Sequence, residues 1–229
     1  MSDWWQRPRR ISVVVDTEGW FDPFARELVA ELNATGDRAS FMRDAAEVSE
    51  GAVAFYLSCL KLSPPAVLAR NRLNLVVHAS DLPHGRGFSP LVWQVLEGEN
   101  TIPLTMILAA HGPDTGDVVA RDAIHFEGHE LNGELRETMG RAIISICVKV
   151  LAEPLPPKPE PQRGESTWYR RRGPADSKLD PALPLVDQFN LLRTVDNDRY
   201  PAFFDHLGRR FVLTIEDSGP VPEEGEHER

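Results

Sequence analysis

A histidine and a carboxylate in neighbouring polar segments are the residues of this chain best suited to proton transfer. His78 ends an apolar run and opens the segment HASDLPHGRG, and Asp114 opens DTGD after the next apolar run. In open α/β sheets, ligands bind at the carboxyl ends of strands. A neutral imidazole opposite an acidic side chain suits an acyl transfer that shuttles protons. The alternatives are a hydrogen-bonded core histidine and an ordinary Asx turn.

The residues around His78 form a constrained loop. Ser80 can hold the imidazole or cap the turn, and Leu82-Pro83 makes a rigid apolar corner. Gly85 and Gly87 permit a positive φ, which other residues rarely adopt. These features indicate a purpose beyond connecting two elements.

A basic and aromatic segment, Trp168-Tyr169-Arg170-Arg171-Arg172, stands out in a chain whose net charge is -10. Guanidinium groups pair bidentately with phosphate, and the two aromatic rings offer stacking faces for a base or sugar. The alternative is a solvated basic loop. The acidic balance argues against nucleic acid as a partner and favours a small phosphorylated ligand.

Other chemistries find little support in the sequence. A possible metal cluster, His125, Glu127, His129 and Glu130, matches no zinc spacing, so we expect no metal. The segment after the first strand, 16–20, lacks the glycine fingerprints of dinucleotide and nucleoside-triphosphate sites. The cysteines, Cys59 in a predicted strand and Cys147 in a predicted helix, are expected to be buried free thiols.

Apolar β-branched runs alternate with helical patterns, which predicts an α/β fold with a mainly parallel sheet flanked by helices. The predicted strands are 11–15, 39–42, 53–57, 73–78 and 101–109, with a further one at 118–120. Helices are predicted from Asp22 to Gly36, from Ser89 to Gly98, and along the apolar stripe Leu131, Leu135, Ala142, Ile146 and Val150.

The composition divides the chain into four parts. A catalytic domain is predicted over 1–152, and a Pro- and Arg-rich linker and loop over 153–179. A small helix starting at Asp180 and a β-hairpin follow over 180–217, and 218–229 is predicted to be a disordered tail. No apolar run is long enough to span a bilayer, and the first ten residues lack a signal-peptide core, so we expect a cytoplasmic protein.

The segment NLVVHASDLPHGRGFSPLVWQVLEGENTIPLTMILAAHGPDTGDVV, from Asn74 to Val119, resembles the 10-formyltetrahydrofolate-dependent formyltransferases, whose motif is H-x-S-x-L-P-x-x-R-G followed by D-x-G-D. It is most similar to enzymes that N-formylate amino sugars on nucleotide carriers, as in the pseudaminic acid pathway. The resemblance implies a Rossmann-like formyltransferase fold, formyl transfer from 10-formyltetrahydrofolate to an amino sugar, and a role in surface polysaccharide synthesis.

The resemblance also implies roles for individual residues. His78 and Asp114 would be catalytic. Folate would be bound by Leu82, Pro83, Ile107, Gly112 and Gly116. The acceptor would be bound by Ser80, Arg86, Trp168, Tyr169, Arg170, Arg171 and Arg172.

One position departs from the wider family. The family has N-x-H, with the asparagine polarising the formyl carbonyl, whereas this chain has Val76 there. Asn74 lies on the same strand face as His78 but about 13 Å away at the rise of a strand. Either another donor replaces the amide, or activity is altered or lost. The open alternatives are formylation of methionyl-tRNA or another small amine, and an inactive relative that binds folate or a nucleotide sugar.

The C-terminal hairpin predicts an interface. Four rings, Tyr200, Phe203, Phe204 and Phe211, are too many for a free two-stranded hairpin. They must pack on the catalytic domain or on a second subunit. Relatives in the sugar-modifying branch are often dimers, so we expect a homodimer.

Overall fold

The computed structural model describes residues 3–221, and we number its elements in chain order. The strands are β1 (Arg10–Val14), β2 (Arg38–Met42), β3 (Gly51–Tyr56), β4 (Asn71–His78), β5 (Arg86–Gly87), β6 (Thr101–Leu108), β7 (Val118–His125), β8 (Trp168–Tyr169), β9 (Ala202–His206) and β10 (Arg209–Leu213). The α-helices are α1 (Asp22–Ala34), α2 (Pro65–Leu68), α3 (Pro90–Leu96), α4 (Asn132–Ala152) and α5 (Phe189–Thr194). None of these helices is both long and apolar enough to cross a membrane.

Six strands form the central sheet in the order β2-β1-β3-β4-β6-β7. The first four are parallel, as their β-branched runs predict, and helices flank the sheet. The predicted fold class is therefore confirmed. Strand β6 runs antiparallel to both of its neighbours, with His78 of β4 opposite Thr105 and Leu75 opposite Leu108. Because of this direction, the loop after β6 starts beside the middle of β4, away from His78.

Helices α1 and α4 pack together and share the main core. Phe24, Leu28 and Leu32 of α1 are buried, as their spacing predicts. On α4, a Cβ at Gly140 would lie 2.6 Å from the Phe24 ring, so only glycine lets the helices approach this closely. Of the predicted apolar stripe, Leu135, Ile146 and Val150 are buried in this core and Ala142 packs against it, whereas Leu131 precedes α4.

A buried ion pair joins the start of β1 to the end of α1. Arg9 and Asp37 share a contact of 2.7 Å, and their side chains are 2% and 0% exposed. Arg9 also donates to the carbonyl oxygen of Leu151 near the end of α4, at 2.8 Å. Burial alone would raise the pKa of Asp37, but the hydrogen bonds from Arg9 outweigh it and hold that pKa below its ordinary value.

Some predicted boundaries were wrong. Strand β7 extends to His125, well beyond residue 120, because it pairs along nearly all of β6. Cys59 lies in the loop after β3 and is half-buried. The helix predicted from Asp180 begins later, with a 3₁₀ turn at Val186–Gln188 that leads into α5. The side chain of Gln188 bonds the backbone of Asp180, which holds the preceding residues in a turn.

The C-terminal unit has its own small core and an exposed outer strand. Leu179, Leu192, Val195 and Ala202 are buried together under the antiparallel hairpin of β9 and β10. Arg136 of α4 pairs with Asp196 at 3.0 Å and attaches this unit to the main domain. The tail predicted over 218–229 lies mostly outside the described residues.

Candidate active site

His78 stands at the end of β4, with its imidazole almost fully buried and both ring nitrogens facing acceptor oxygens. Nε2 lies 2.8 Å from the carbonyl oxygen of Gly85, and Nδ1 lies 3.5 Å from Oδ1 of Asp114. A carbonyl oxygen only accepts, so Nε2 carries a hydrogen in this arrangement. Nδ1 then faces the carboxylate, where a proton can be held between the two side chains.

Asp114 reaches His78 by a route that the sequence does not predict. Two adjacent parallel strand ends would have placed the side chains face to face, but β6 is antiparallel, so the loop after it must turn back toward His78. Asp114 adopts a left-handed φ of 55° in this loop. Its Oδ2 accepts the backbone N–H of Gly87 at 2.9 Å, which joins the two polar loops.

Gly116 allows this loop to close. A Cβ at this position would lie 1.7 Å from the carbonyl oxygen of Leu108, which no side chain tolerates. The DTGD segment therefore needs its glycine because of a close backbone approach. This gives a physical reason for the glycine of the motif.

Three side chains from outside the His78 loop hold its backbone. Thr105 of β6 donates to the Ser80 carbonyl oxygen at 2.6 Å, Gln94 of α3 to that of Ala79 at 2.7 Å, and Arg121 of β7 to that of Leu82 at 3.1 Å. The Ser80 hydroxyl is buried and makes no hydrogen bond within residues 3–221, so it does not hold the imidazole. The loop is fixed mainly through its main chain.

Gly85 and Gly87 have no side chain, which allows β8, a strand from much later in the chain, to pack against the His78 loop. Strand β5 pairs in parallel with β8, Arg86 opposite Trp168 and Gly87 opposite Tyr169. Gly85 and Gly87 have φ of 73° and 100°, which confirms the predicted positive φ. A Cβ on Gly87 would also lie 2.3 Å from the Tyr169 carbonyl oxygen. The predicted acceptor-binding segment is therefore built into the wall of the site.

Comparison with solved structures agrees with this architecture, although no protein-family model matches the chain. Methionyl-tRNA formyltransferase from Clostridium thermocellum superposes with a TM-score of 0.76 at 22% identity, covering 90% of this chain and 92% of that one. A sugar N-formyltransferase from a Shewanella species gives a TM-score of 0.65 at 14% identity, covering 93% and 99%.

The chain has the formyltransferase fold. HypX from Aquifex aeolicus, solved in complex with tetrahydrofolic acid, is also similar, with a TM-score of 0.72 at 19% identity. That match covers 91% of this chain but 38% of HypX, so this chain corresponds to about two fifths of that protein.

Within this formyltransferase fold, the basic segment is largely engaged by the protein itself. Arg170 pairs with Asp176, and this hydrogen bond lowers the pKa of Asp176 to about 2. Burial lowers the pKa of Arg172, which lies 6.0 Å from the Trp93 ring. Arg171 is exposed, lies 5.7 Å from the Phe88 ring and makes no ion pair within residues 3–221. Arg171 is thus the guanidinium most open to a ligand.

The aromatic residues of the segment are oriented by α3. The Tyr169 ring stacks on Trp93 at 6.1 Å, and its hydroxyl donates to Glu97 at 2.7 Å. Burial and this bond raise the pKa of the Tyr169 hydroxyl. The ring of Trp168 is 55% exposed and open for stacking. No sequence pattern indicates this role of Trp93, because its helical spacing is also that of a core residue.

The residues expected to bind folate lie in β6 and in the two loops that hold His78 and Asp114. Leu82, Pro83 and Ile107 are buried, Gly116 is buried, and Gly112 is half-buried in the loop of Asp114. The side chains of Leu82 and Ile107 are almost completely buried.

The place of the family asparagine remains apolar. Val76 packs with Val14, Ala54 and Tyr56 on the same strand face as His78. The Asn74 amide donates to the Leu68 carbonyl oxygen at 2.8 Å, so it is directed away from the histidine. Any donor to a developing oxyanion must therefore come from elsewhere, such as a backbone N–H.

Neither a thiol nor a metal cluster provides a rival chemistry among residues 3–221. Burial raises the pKa of Cys59 to about 12 and also raises that of Cys147, so both remain protonated. No three His, Cys, Asp or Glu side chains in the described part of the chain are arranged to hold a metal ion. The Glu130 carboxylate instead accepts the backbone N–H of Gly128, at 2.9 Å.

Proposed function

We propose that this protein transfers a formyl group from 10-formyltetrahydrofolate to the primary amine of a nucleotide-linked amino sugar. The observation that carries the proposal is the His78–Asp114 pair, held by two motif loops at one edge of a formyltransferase fold. An acyl transfer to an amine must remove a proton from the attacking nitrogen and return one to the leaving nitrogen. A histidine facing a carboxylate suits both steps.

The proposed chemistry divides between the ligand and the protein. The folate supplies an activated formyl group. Because Nε2 of His78 already carries a hydrogen, its Nδ1 takes the proton of the amine as the new C–N bond forms, and it returns this proton to the folate nitrogen as the old C–N bond breaks. Asp114 orients the imidazole and stabilises its charged form between these two transfers. Main-chain N–H groups of the loops are the available donors for the oxyanion.

The folate part of the proposal rests on the surroundings of the pair. The backbone of both loops borders it, and the exposed ring of Phe88, which directly follows the motif loop, offers a flat apolar face. HypX, which shares this fold, binds tetrahydrofolic acid. The residues present therefore fit a pterin.

The acceptor part rests on charge and on the aromatic residues of the segment. Trp168 and Arg171 are exposed next to the motif loop, where they suit a base and a phosphate. A net charge of -10 does not favour tRNA, whose backbone needs a basic surface. Both a sugar N-formyltransferase and a methionyl-tRNA formyltransferase share this fold, so the preference rests on the charge and on the exposed Trp168 and Arg171.

A formylation assay tests the proposal. Purified protein is incubated with 10-formyltetrahydrofolate and a panel of amines that includes nucleotide-linked amino sugars, free amino sugars and methionyl-tRNA, and formylated product is followed by mass spectrometry. Product only with nucleotide-linked amines would support the proposal. Product only with methionyl-tRNA would show that the proposed acceptor is wrong, while formyl transfer would stand as the reaction class.

The second candidate is a binding protein without turnover, and the apolar surroundings of Val76 favour it. It predicts that calorimetry detects tetrahydrofolate binding while no amine is formylated. Introducing the missing amide with Val76→Asn should then raise turnover from zero if the loss of that donor is the cause.

A further inference from the structure

The Pro-rich segment between α4 and β8 joins the two loops of the site. Glu160 and Val118 exchange backbone hydrogen bonds of 2.7 and 2.9 Å, which holds the segment beside the Asp114 loop. Further along, the Thr167 hydroxyl accepts the Gly85 N–H at 2.8 Å, and the Arg86 N–H donates to the Thr167 carbonyl oxygen at 3.0 Å. Residues 160–169, which we call the strap, therefore contact both loops.

Gln162 makes the central contacts of the strap. Its Nε2 donates to the carbonyl oxygens of Asp114 and Gly116, each at 2.8 Å, and its Oε1 accepts from the Arg86 guanidinium at 2.6 Å. A guanidinium only donates, so it must face the amide oxygen, and the amide NH₂ is thereby directed at the two carbonyls. Every hydrogen-bonding atom of this side chain serves the catalytic loops.

We propose that Gln162 is a positioning residue that sets where the Asp114 carboxylate stands relative to His78, an inference that rests on the proposed function. Asp114 has a left-handed φ of 55°, a conformation that its neighbours must impose. Gln162 fixes the peptide carbonyls on both sides of the Thr115 turn. Without it, the loop can rotate and the 3.5 Å approach of Oδ1 to Nδ1 is no longer held.

Arg86 would then help to position Asp114 indirectly, through its hydrogen bond to Gln162. Its guanidinium reaches the strap amide from the motif loop, so the arginine of the motif orients the residue that orients the aspartate. A direct contact of Arg86 with the acceptor, as the resemblance implies, is not needed to explain why an arginine stands there.

The test compares three single variants of the full chain. Gln162→Ala removes all three hydrogen bonds. Gln162→Glu keeps the size and the contact with Arg86 but turns an acceptor toward two carbonyl oxygens. Glu160→Ala is the matched control, because Glu160 is exposed and contributes only backbone bonds to the strap.

We expect kcat to fall about 10- to 100-fold in Gln162→Ala, since small misplacements of catalytic groups cost that much. Gln162→Glu should lose at least as much. The Michaelis constant for folate should stay within about twofold, and the control should keep wild-type kcat. Wild-type kcat in either Gln162 variant, or equal losses in Glu160→Ala, would overturn the inference.

A measurement without turnover separates this inference from the proposed function. The Gly87 amide donates to Asp114 Oδ2, so its proton chemical shift reports where the carboxylate stands. That resonance should move in both Gln162 variants and stay in place in Glu160→Ala. If the Gly87 resonance moves but the wild-type protein formylates no amine, the proposed function is overturned and the positioning role of Gln162 stands. An unmoved Gly87 resonance in a folded Gln162→Ala variant would overturn the positioning role.

Discussion

At the scale of single residues, the proposed chemistry depends on the side chains of His78 and Asp114. His78→Ala and Asp114→Asn should each lower kcat by about 10²- to 10⁴-fold, the usual effect of losing a positioned proton-transfer group. Asp114→Asn keeps an oxygen that can accept the Gly87 N–H, so its melting temperature should stay close to that of the wild type. Steady-state kinetics and thermal unfolding check both.

His84→Ala is the control for these variants, because His84 is an exposed histidine of the same loop. It should retain wild-type kcat. A folded His78→Ala protein with undiminished turnover would remove the imidazole from the mechanism, and a folded Asp114→Asn protein with undiminished turnover would remove the carboxylate.

Arg9 and Asp37 show a residue-scale effect on stability. Asp37→Asn leaves the buried guanidinium without its counter-charge, and breaking a buried pair in this way costs about 3–5 kcal/mol. The pKa of Asp37 is lowered in the folded state, so its contribution is present above the unfolded pKa and is lost as pH falls through the folded one. Denaturant unfolding should therefore show a large deficit at pH 7 that shrinks below about pH 4.

An exposed carboxylate serves as the comparison for Asp37. Glu50 has an exposed side chain, and Glu50→Gln should leave the free energy of unfolding within about 0.5 kcal/mol of the wild type. Equal stability of Asp37→Asn and Glu50→Gln at pH 7 would contradict the importance of the buried pair.

Sequence reasoning found the chemical pair but not the residues that hold it. The motif pattern predicts that His78 and Asp114 lie close together because each follows an apolar run that must be a strand. Gln162 and Thr167 could not be found in this way. Their contacts run from a side chain to distant backbone groups, and such contacts leave no periodicity in the chain.

At the scale of elements, the basic segment separates into arginines with different partners. Arg171 is exposed, and losing a charge-assisted hydrogen bond to phosphate costs about 1.5–3 kcal/mol. Arg171→Ala should therefore raise the Michaelis constant of a nucleotide-linked acceptor by about 10- to 100-fold, with little change in melting temperature. Acceptor kinetics with phosphorylated and unphosphorylated amines measure this.

Arg172 should behave differently because its side chain packs within the protein. Arg172→Ala should lower the melting temperature, since its guanidinium lies near Trp93 and donates to the Asp176 carbonyl oxygen at 3.2 Å. Arg163→Ala, at an exposed arginine on the strap, is the control for both. Equal effects of Arg171→Ala on phosphorylated and unphosphorylated amines would show that Arg171 is only a solvated residue.

The elements and the parallel direction of the first four strands were predictable from local pattern, but the direction of β6 was not. A run such as that of β6 is equally apolar when read in either direction, so the sequence does not encode whether it pairs parallel or antiparallel with β4. Likewise, the prolines of 153–161 predict an extended backbone. They carry no information about the surface on which that backbone lies.

At the scale of the whole molecule, we propose β10 as the contact of the expected homodimer, because each face of this strand carries an exposed apolar side chain. Phe211 and Val212 are 44% and 61% exposed on adjacent positions of this strand. If they form the proposed dimer contact, Val212→Asp should dissociate the homodimer, and sedimentation should show the mass falling from twice 25.6 kDa to that of a monomer.

Leu62→Asp is the control for this change, because Leu62 is 58% exposed in the loop after β3. It should leave the sedimentation behaviour unaltered. A wild-type protein that sediments as a monomer at micromolar concentrations would contradict the dimer and leave the hairpin rings packed only within their own chain.

The strap also determines when the site can exist during synthesis. The hydrogen bonds that join Gly85 to Thr167 and Arg86 to Gln162 span 82 and 76 residues. A nascent chain that has released β1 to β7 and α4 from the ribosome already holds His78, Asp114 and the side chains that bond the His78 loop, but it lacks the strap that contacts both loops. The last step that orders the catalytic loops is therefore the emergence of residues 160–169, long after the central sheet can form. Until then the chain is a folded scaffold whose chemistry is still unassembled.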